Sequence, residues 1–490
     1  MKEFMKKNQF FTYSKLCTLA LAMAGGLFLA SCAEDGYDDE TFDSGVYNSQ
    51  LGIVDAEGIT VTKSADEKSQ TFTWPVVMGA GGYLVSLYDT DNIDEPVVKD
   101  SIVDGCTMTA KRAEDTNYRL TIQTLGNEQR KNTGSSELAV LEFNTFSPAL
   151  ATIPDGTDLY EYFTNNEIPD SNEVIYYDLE PGGHYTLSGV VDFNSHNIAL
   201  RTTSHSDLAT ITYGKAGGLE YCGGLKLKYL NFDLSATTNP TLAFSAKPDP
   251  SILDAAHNNH HQITEPTTIQ FCHFEGVRKM FLYDNKVKYC LKTFLMEEST
   301  VHFVSEGMSA GSLFYIYDGG GFINDFTLQN STLWNTGEAE NYMIRYNNSG
   351  RCDRAGYTSN SINFINCTLY NIAKSGQMCN HGGFDGRSTS NYEIRNNIFV
   401  DCGNGAVPRR ITGRISTAAV NNFDRNTYWF NGKAETEGAP DSVEGATKTY
   451  DQSGTALQSD PALVDPDNGN FTPTGEEQLL YKTGDPRWLP

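Results

Sequence analysis

Between Asn341 and Phe430 the chain places Arg345, Arg351, Arg354, Lys374, Arg387, Arg395, Arg409, Arg410, Arg414 and Arg425 against five acids, Asp353, Asp385, Glu393, Asp401 and Asp424. Ten bases less five acids leave this stretch at +5, inside a chain of formal net charge −26. Nine of the ten bases are arginine, and a planar guanidinium meets a carboxylate through two bonds at once, which an ammonium does not. The chemistry this composition fits is recognition of an acidic chain, such as a run of uronate carboxylates in pectin, alginate or a glycosaminoglycan. A solvated outer face that needs some charge is the competing reading of the same residues.

A second cluster is the loop CNHGGFDGRS, which holds His381, Asp385 and Arg387 among three glycines. It partly resembles the His-Gly motif of polygalacturonase-type β-helix hydrolases. The rest of that pattern is missing, since neighbouring stretches hold no adjacent Asp pair and no Arg-Ile-Lys string, and glycoside hydrolysis needs paired carboxylates. Lyase chemistry asks only for a group that neutralises the uronate carboxylate and a base for the C5 proton. His381 and Arg387 are the catalytic candidates on that reading. The acids are too scattered for a calcium site, so no metal and no cofactor is expected.

Two other strings have chemical residue types without the context. HNNHH, with His257, His260 and His261, lies between SILDAA and QITEPTT with no carboxylate in a fixed element, so a solvated polar loop is expected. The run YDGGGF at 317–322 lacks the Lys-Ser/Thr of a phosphate loop, and tight turning explains it. Cys106, Cys222, Cys272, Cys290, Cys352, Cys367, Cys379 and Cys402 form no CxxC pair and fall mostly in apolar runs. Buried free thiols are the expectation, with a disulfide or two as the alternative.

What must position the arginines is a repeat. FTLQNSTLWN (326–335), INFINCTLYN (362–371), YEIRNNIFVD (392–401) and NFDRNTYWFN (422–431) lie on one another with Asn330, Asn366, Asn396 and Asn426 in one column. The steps are 36, 30 and 30 residues (366−330, 396−366, 426−396). LKYLNFDL, with Asn231, fits the same template upstream. A unit of this length cannot bury its own apolar face, so copies stack around a continuous inner column, to which Leu328, Phe364 and Ile394 are assigned. Asn suits a sharp corner because it tolerates left-handed backbone and its amide bonds to the copies above and below. Coils rise by about 4.8 Å, so Arg395 and Arg425, each read as one residue before the Asn column, are expected to stack on one outer face.

Upstream, residues 45–146 alternate short apolar runs with turns: GITVTKSA, QTFTWPVV, GGYLVSLYD, CTMTAKR, NYRLTIQTLG and ELAVLEFNTF. This is the pattern of a small β-sandwich. Trp74, the Ala80-Gly-Gly-Tyr83 entry to the next strand, and Tyr118 resemble a fibronectin type III module. Ser147-Pro148 breaks the pattern, and DGTDLYEYFTNN reads as a short capping helix. VIYYDLEPGGHYTLSG and HNIALRTTS are similar to the first coils of the pectin-lyase-like right-handed parallel β-helix. The expected fold is all-β: a sandwich at 45–146, a right-handed parallel β-helix with its N-terminal cap at 147–432, and a closing segment at 433–490.

The opening residues address the chain. Lys2, Lys6, Lys7 and Lys15 precede an apolar run from Leu16 to Ala30, too short to span a bilayer. Leu29-Ala30-Ser31-Cys32 resembles the lipobox of bacterial lipoproteins, which assigns 1–31 to a signal peptide and a lipid to Cys32. AEDGYDDE, in the tether at 32–44, resembles the acidic export tag of Bacteroidetes surface lipoproteins, so the expected place is the outer membrane, facing the exterior. With 62 acids against 36 bases, nucleic acid is excluded as a partner and the membrane is met only through the lipid anchor.

SDPALVDPDNGNFTPTGEEQLLYKTGDPRWLP resembles the C-terminal segment of Bacteroidetes lipoproteins of unknown function that are encoded beside polysaccharide-uptake machinery. The resemblance implies glycan handling outside the cell, with an outer-membrane glycan transporter as partner. Three functions remain open from the sequence. The first is capture of an acidic, pectin-like polysaccharide by Arg345, Arg351, Arg354, Arg387, Arg395, Arg409, Arg410, Arg414 and Arg425. The others are a polysaccharide lyase acting on a uronate-containing glycan, and a structural adhesin.

Overall fold

Alternation of apolar and polar residues decides the first unit, Met1–Phe146. The computed structural model describes residues 45–347, 351–385, 387–413, 419–434, 451 and 453–490, so the expected signal peptide at 1–31, the expected tether at 32–44 with Cys32, and Arg414 lie outside the described residues. Seven strands, β1 (Thr60–Lys63), β2 (Ser69–Thr73), β3 (Tyr83–Asp89), β4 (Val98–Val103), β5 (Thr107–Lys111), β6 (Asn117–Thr124) and β7 (Ala139–Asn144), form two antiparallel sheets. Their orders are β1-β2-β5 and β4-β3-β6-β7. In β6 every second residue is buried, Tyr118, Leu120, Ile122 and Thr124, as a sheet with one wet face requires. Trp74 packs edge-on to Tyr83 at 5.6 Å, and the Tyr118 hydroxyl accepts from the Ala113 N–H at 2.9 Å, tying a connecting loop to the core.

From Ser147 the chain coils. Each coil visits three sheets in turn: sheet A of twelve strands, sheet B of ten and sheet C of seven. All are parallel apart from antiparallel partners at Leu253–Asp254 and Lys433–Ala434. This is the expected parallel β-helix, and its right-handed sense is the one strand twist favours for parallel crossovers. Leu200, Leu227, Ile269, Met296, Leu328, Phe364 and Ile394 pair strand to strand in sheet A as one fully buried inner column. Each side chain of this size contributes about 2 kcal/mol by leaving water, but only when another coil covers it. The first coil is covered by α1 (Leu159–Asn165), whose Asp158 cap accepts from the Glu161 N–H and whose Phe163 ring lies 5.0 Å from Tyr177.

The corner between sheets A and B corrects the expected register. Asn330, Asn366 and Asn396 do follow paired strand ends and share left-handed φ values of 46°, 52° and 56°. The next residue of that column is Arg425 at φ 49°, not Asn426, because Arg395 pairs with Asp424. Asn426 belongs one position later, inside the corner, where its Oδ1 accepts from Asn397 Nδ2 at 2.9 Å. Arg395 and Arg425 therefore do not stack on one face. Asn231 also leaves the column, since it pairs with Thr210 and His273 within sheet B, and the corner position of that coil is Tyr229 at φ 57°.

The HNNHH string is not a solvated loop throughout. His260–Ile263 forms a strand of sheet A, and His260 is fully buried with its ring edge-on to Phe322 at 5.5 Å. The eight cysteines among the described residues are free thiols, and all but Cys106 are buried. Gly319 and Gly321 press against the backbone of Val287 and Tyr289, which accounts for two glycines of the YDGGGF run.

Candidate functional site

One outer face of the coil is covered by the chain itself. Over sheet B the C-terminal segment lays Phe471 5.2 Å from Trp334, and the Trp488 indole N–H donates to the Thr332 hydroxyl at 2.9 Å. On sheet A, side chains bond from coil to coil, with Gln270 and Gln329 both donating to Glu297 at 3.1 and 3.2 Å.

Sheet C carries an axial row of side chains with a cleft toward each end, called the groove below. Strand pairing sets Asp192, Glu220, Ala243, Tyr283, Tyr315, Arg345 and Asn380 side by side along the helix axis. Six steps of about 4.8 Å make this face roughly 29 Å long. The rings of Tyr283 and Tyr315 are 5.9 Å apart and 8° from parallel. The Arg345 guanidinium continues the stack, 3.8 Å from the Tyr317 ring centre, 5.2 Å from Tyr342 and 5.6 Å from Tyr315. Rings at this distance attract a cation through their faces and fix its plane. Asp318 accepts from the hydroxyls of both Tyr283, at 3.3 Å, and Tyr315, at 2.9 Å. Burial, reinforced by that carboxylate, pushes each phenol up to about 12.

Clefts lie at both ends. One of about 210 Å³ is lined by Glu220, Asn239, Ala243, Met280 and Tyr283. The other, of about 460 Å³, is lined by Tyr342, Gln377, Asn380, His381, Asp385 and Arg410. Arg410 arrives on α2 (Val407–Thr412), which takes the place of a sheet C strand in its coil. Pro408 starts that helix and Gly413, at φ +65°, ends it. A Cβ at Gly413 would stand 2.0 Å from Asp385 Oδ1, so a larger residue there would push that carboxylate aside.

His381 does not stand ready as a base. Its side chain is 2% exposed, Nδ1 lies 3.1 Å from Asp385 Oδ1, and Nε2 donates to the Ile411 carbonyl at 2.7 Å. Burial acts to lower its pKa, but the Asp385 hydrogen bond and the adjacent Cys379 carry it up to about 10. Both ring nitrogens face oxygen acceptors, so neither is turned toward a substrate proton. Arg387, the other catalytic candidate, does not line this cleft.

The arginines divide among several faces. Arg345 and Arg410 belong to the groove, with Arg409 exposed beside Arg410. Arg351, Arg354 and Arg387 lie in the connections from sheet C to sheet A, where Arg351 closes on Asp353 through two bonds, at 2.9 and 2.6 Å. Arg395 lies on sheet A and pairs with Glu393 at 2.6 Å. Arg425, at the sheet A to sheet B corner, covers the Tyr481 ring at 5.2 Å. Sequence reasoning missed Tyr283, Tyr315 and Tyr317, although the strings LYDN and YIYD, one coil apart, carry them.

Three families match successive stretches of the chain, each described as a domain of unknown function: DUF4992 over residues 5–183, DUF4957 over 183–336 and DUF5123 over 362–488. No curated protein matches. Among solved structures, the chain is similar to pectate lyase PelI from Erwinia chrysanthemi in complex with tetragalacturonic acid, at 10% identity and TM-score 0.12, over 82% of this chain and 96% of that one. It is also similar to pectate lyase Pel3 from Pectobacterium carotovorum, at 11% identity and TM-score 0.16, over 77% and 92%. Those scores carry no argument about chemistry, and the fold assignment rests on the strand ladders of this chain.

Proposed function

We propose that this chain is a surface lipoprotein that binds a polysaccharide in the sheet C groove. The observation that supports this reading is the stack of Tyr283, Tyr315 and Arg345, set between two clefts on one face. Flat rings offer apolar faces to sugar, and a guanidinium fixed by tyrosines, with no ion pair among the described residues, is oriented for a carboxylate. The acidic part of the ligand is a uronate on Arg345 and Arg410. Lipidation at Cys32 anchors the chain at the outer membrane, facing outward, and a glycan transporter receives the captured chain. The sheet orders β1-β2-β5 and β4-β3-β6-β7 fit a fibronectin type III-like module, which serves as a spacer.

Polysaccharide lyase is the second reading, favoured by Arg345 lying beside the Tyr315 phenol. A phenol held near 12 and a His381 engaged at both nitrogens are poor bases for it. Incubating the chain with acidic polysaccharides separates the readings. Retention on an affinity gel, lost in Tyr315→Ala and Arg345→Ala, supports binding. A rise in ultraviolet absorbance from an unsaturated uronate product decides for the lyase, and neither response rejects both.

A further inference from the structure

The groove changes sign along its length. At the N-terminal end its axial column begins with two carboxylates, Asp192 and Glu220, which accept from neutral groups: the Ser245 hydroxyl and the Asn194 N–H for Asp192, and the Ala246 N–H for Glu220. In the cleft at that end, Glu220 is the charged residue, among apolar and amide groups. The middle holds Tyr283 and Tyr315 with the exposed Asp318 on their hydroxyls. The far end is cationic, with Arg345 clamped by tyrosines and Arg410 making no ion pair among the described residues, while the charge of Asp385 is met by His381. Two exposed lysines lie in the connections near the acidic half: Lys286, in the turn after the buried Asp284, and Lys247, next to the Ala246 that bonds Glu220.

Resting on the proposed glycan reading, we infer that the ligand is a heteropolysaccharide carrying its acid sparsely, with neutral sugars along Glu220 and the tyrosines and one acidic unit at Arg345 and Arg410. It is not a polymer acidic at every sugar. A homopolyuronate that fills the groove brings a carboxylate to each sugar position, including those facing Glu220 and Asp318. These lie within a Debye length of about 8 Å at physiological salt, where like charges are not screened away. Opposed charges of this kind select against a partner more than they weaken a correct one.

The test measures binding of the full-length chain to soluble hexasaccharides with no carboxylate, with one, or with six: xylohexaose, xylopentaose bearing a single glucuronate, and hexagalacturonate, with further neutral and mono-acid backbones in the first two groups. Expected is tightest binding within the single-carboxylate group and a roughly tenfold weaker hexagalacturonate. Glu220→Gln should narrow that gap several-fold, and Arg410→Ala should erase the preference for one carboxylate over none. If hexagalacturonate binds tightest, or if Glu220→Gln leaves the ratio where it was, the inference is overturned while glycan binding stands. Failure of every hexasaccharide sinks the glycan reading and this inference together.

Discussion

Asn366 donates from Nδ2 to Oδ1 of Asn330 across 2.9 Å, one coil to the next, while both residues hold left-handed backbone. Asn396 repeats the bond onto Asn366 at 3.2 Å. The corner thus uses both properties of the residue at once. Asn366→Leu should lose the bonds and meet the left-handed penalty, costing about 2–3 kcal/mol. Asn366→Gly keeps the backbone and should cost about 1 kcal/mol. Urea midpoints measure both, and equal losses would show that corner conformation contributes nothing.

Asp485 fastens the C-terminal segment to sheet B. Its buried carboxylate accepts from the Thr332 hydroxyl at 2.6 Å and from Arg487, which also donates to the Glu298 and Ser299 carbonyls at 2.8 and 2.9 Å. Asp485→Ala leaves the guanidinium without its acid and should cost about 3 kcal/mol. Limited proteolysis should then cut within 456–490 before the coil is attacked. Cleavage at the wild-type rate would mean that the aromatic contacts hold the segment alone.

Glu340 makes stability fall with pH. It is buried, accepts from Ser305 Oγ at 2.7 Å, Asn335 Nδ2 at 2.8 Å and the Ala373 N–H at 2.9 Å, and burial outweighs those donors to push it from 4.5 up to about 7. Its native form keeps the proton over a range where the unfolded chain has lost it. Its stability contribution is therefore full below pH 4.5 and lost as pH rises through about 7, a span worth roughly 3 kcal/mol. Melting temperature against pH should fall less steeply between these values in Glu340→Gln than in wild type. Parallel curves would remove Glu340 as the source.

The inner column was legible because Leu328, Phe364 and Ile394 alternate with polar residues in strings that repeat, and a stacked coil has one way to bury them. The last register slipped because Asn426 was matched by identity, whereas strand pairing puts Arg425 at the corner. The arginine surface was not legible. A coil wraps all three faces within about 30 residues, so Arg395 and Arg410, 15 apart in sequence, belong to different faces. The groove repeats along the axis instead, with Tyr283, Tyr315, Arg345 and Asn380 at steps of 32, 30 and 35 (315−283, 345−315, 380−345). That period was present, but it joins unlike residues. The surroundings of His381 were hidden for a related reason: Ile411, 30 residues on, supplies the carbonyl that occupies Nε2.

The division of the arginines makes the last prediction. Arg395 is held by Glu393 on sheet A and Arg425 lies over Tyr481 at a corner, so neither charge reaches a ligand in the groove. Arg409 and Arg410 lie on α2 at its cationic end. Arg409→Ala with Arg410→Ala should weaken binding of a glucuronate-bearing oligosaccharide about tenfold and flatten its salt dependence, because exposed ion pairs are screened by added salt. Arg395→Ala with Arg425→Ala should shift the same affinity less than twofold. Both double variants should melt close to wild type, since exposed charges contribute about 1 kcal/mol or less to folding. Titrations at low and high salt measure this directly. If the sheet A and corner pair carries the larger loss, the ligand lies on the arginine face that the sequence drew, and the groove on sheet C is not the site.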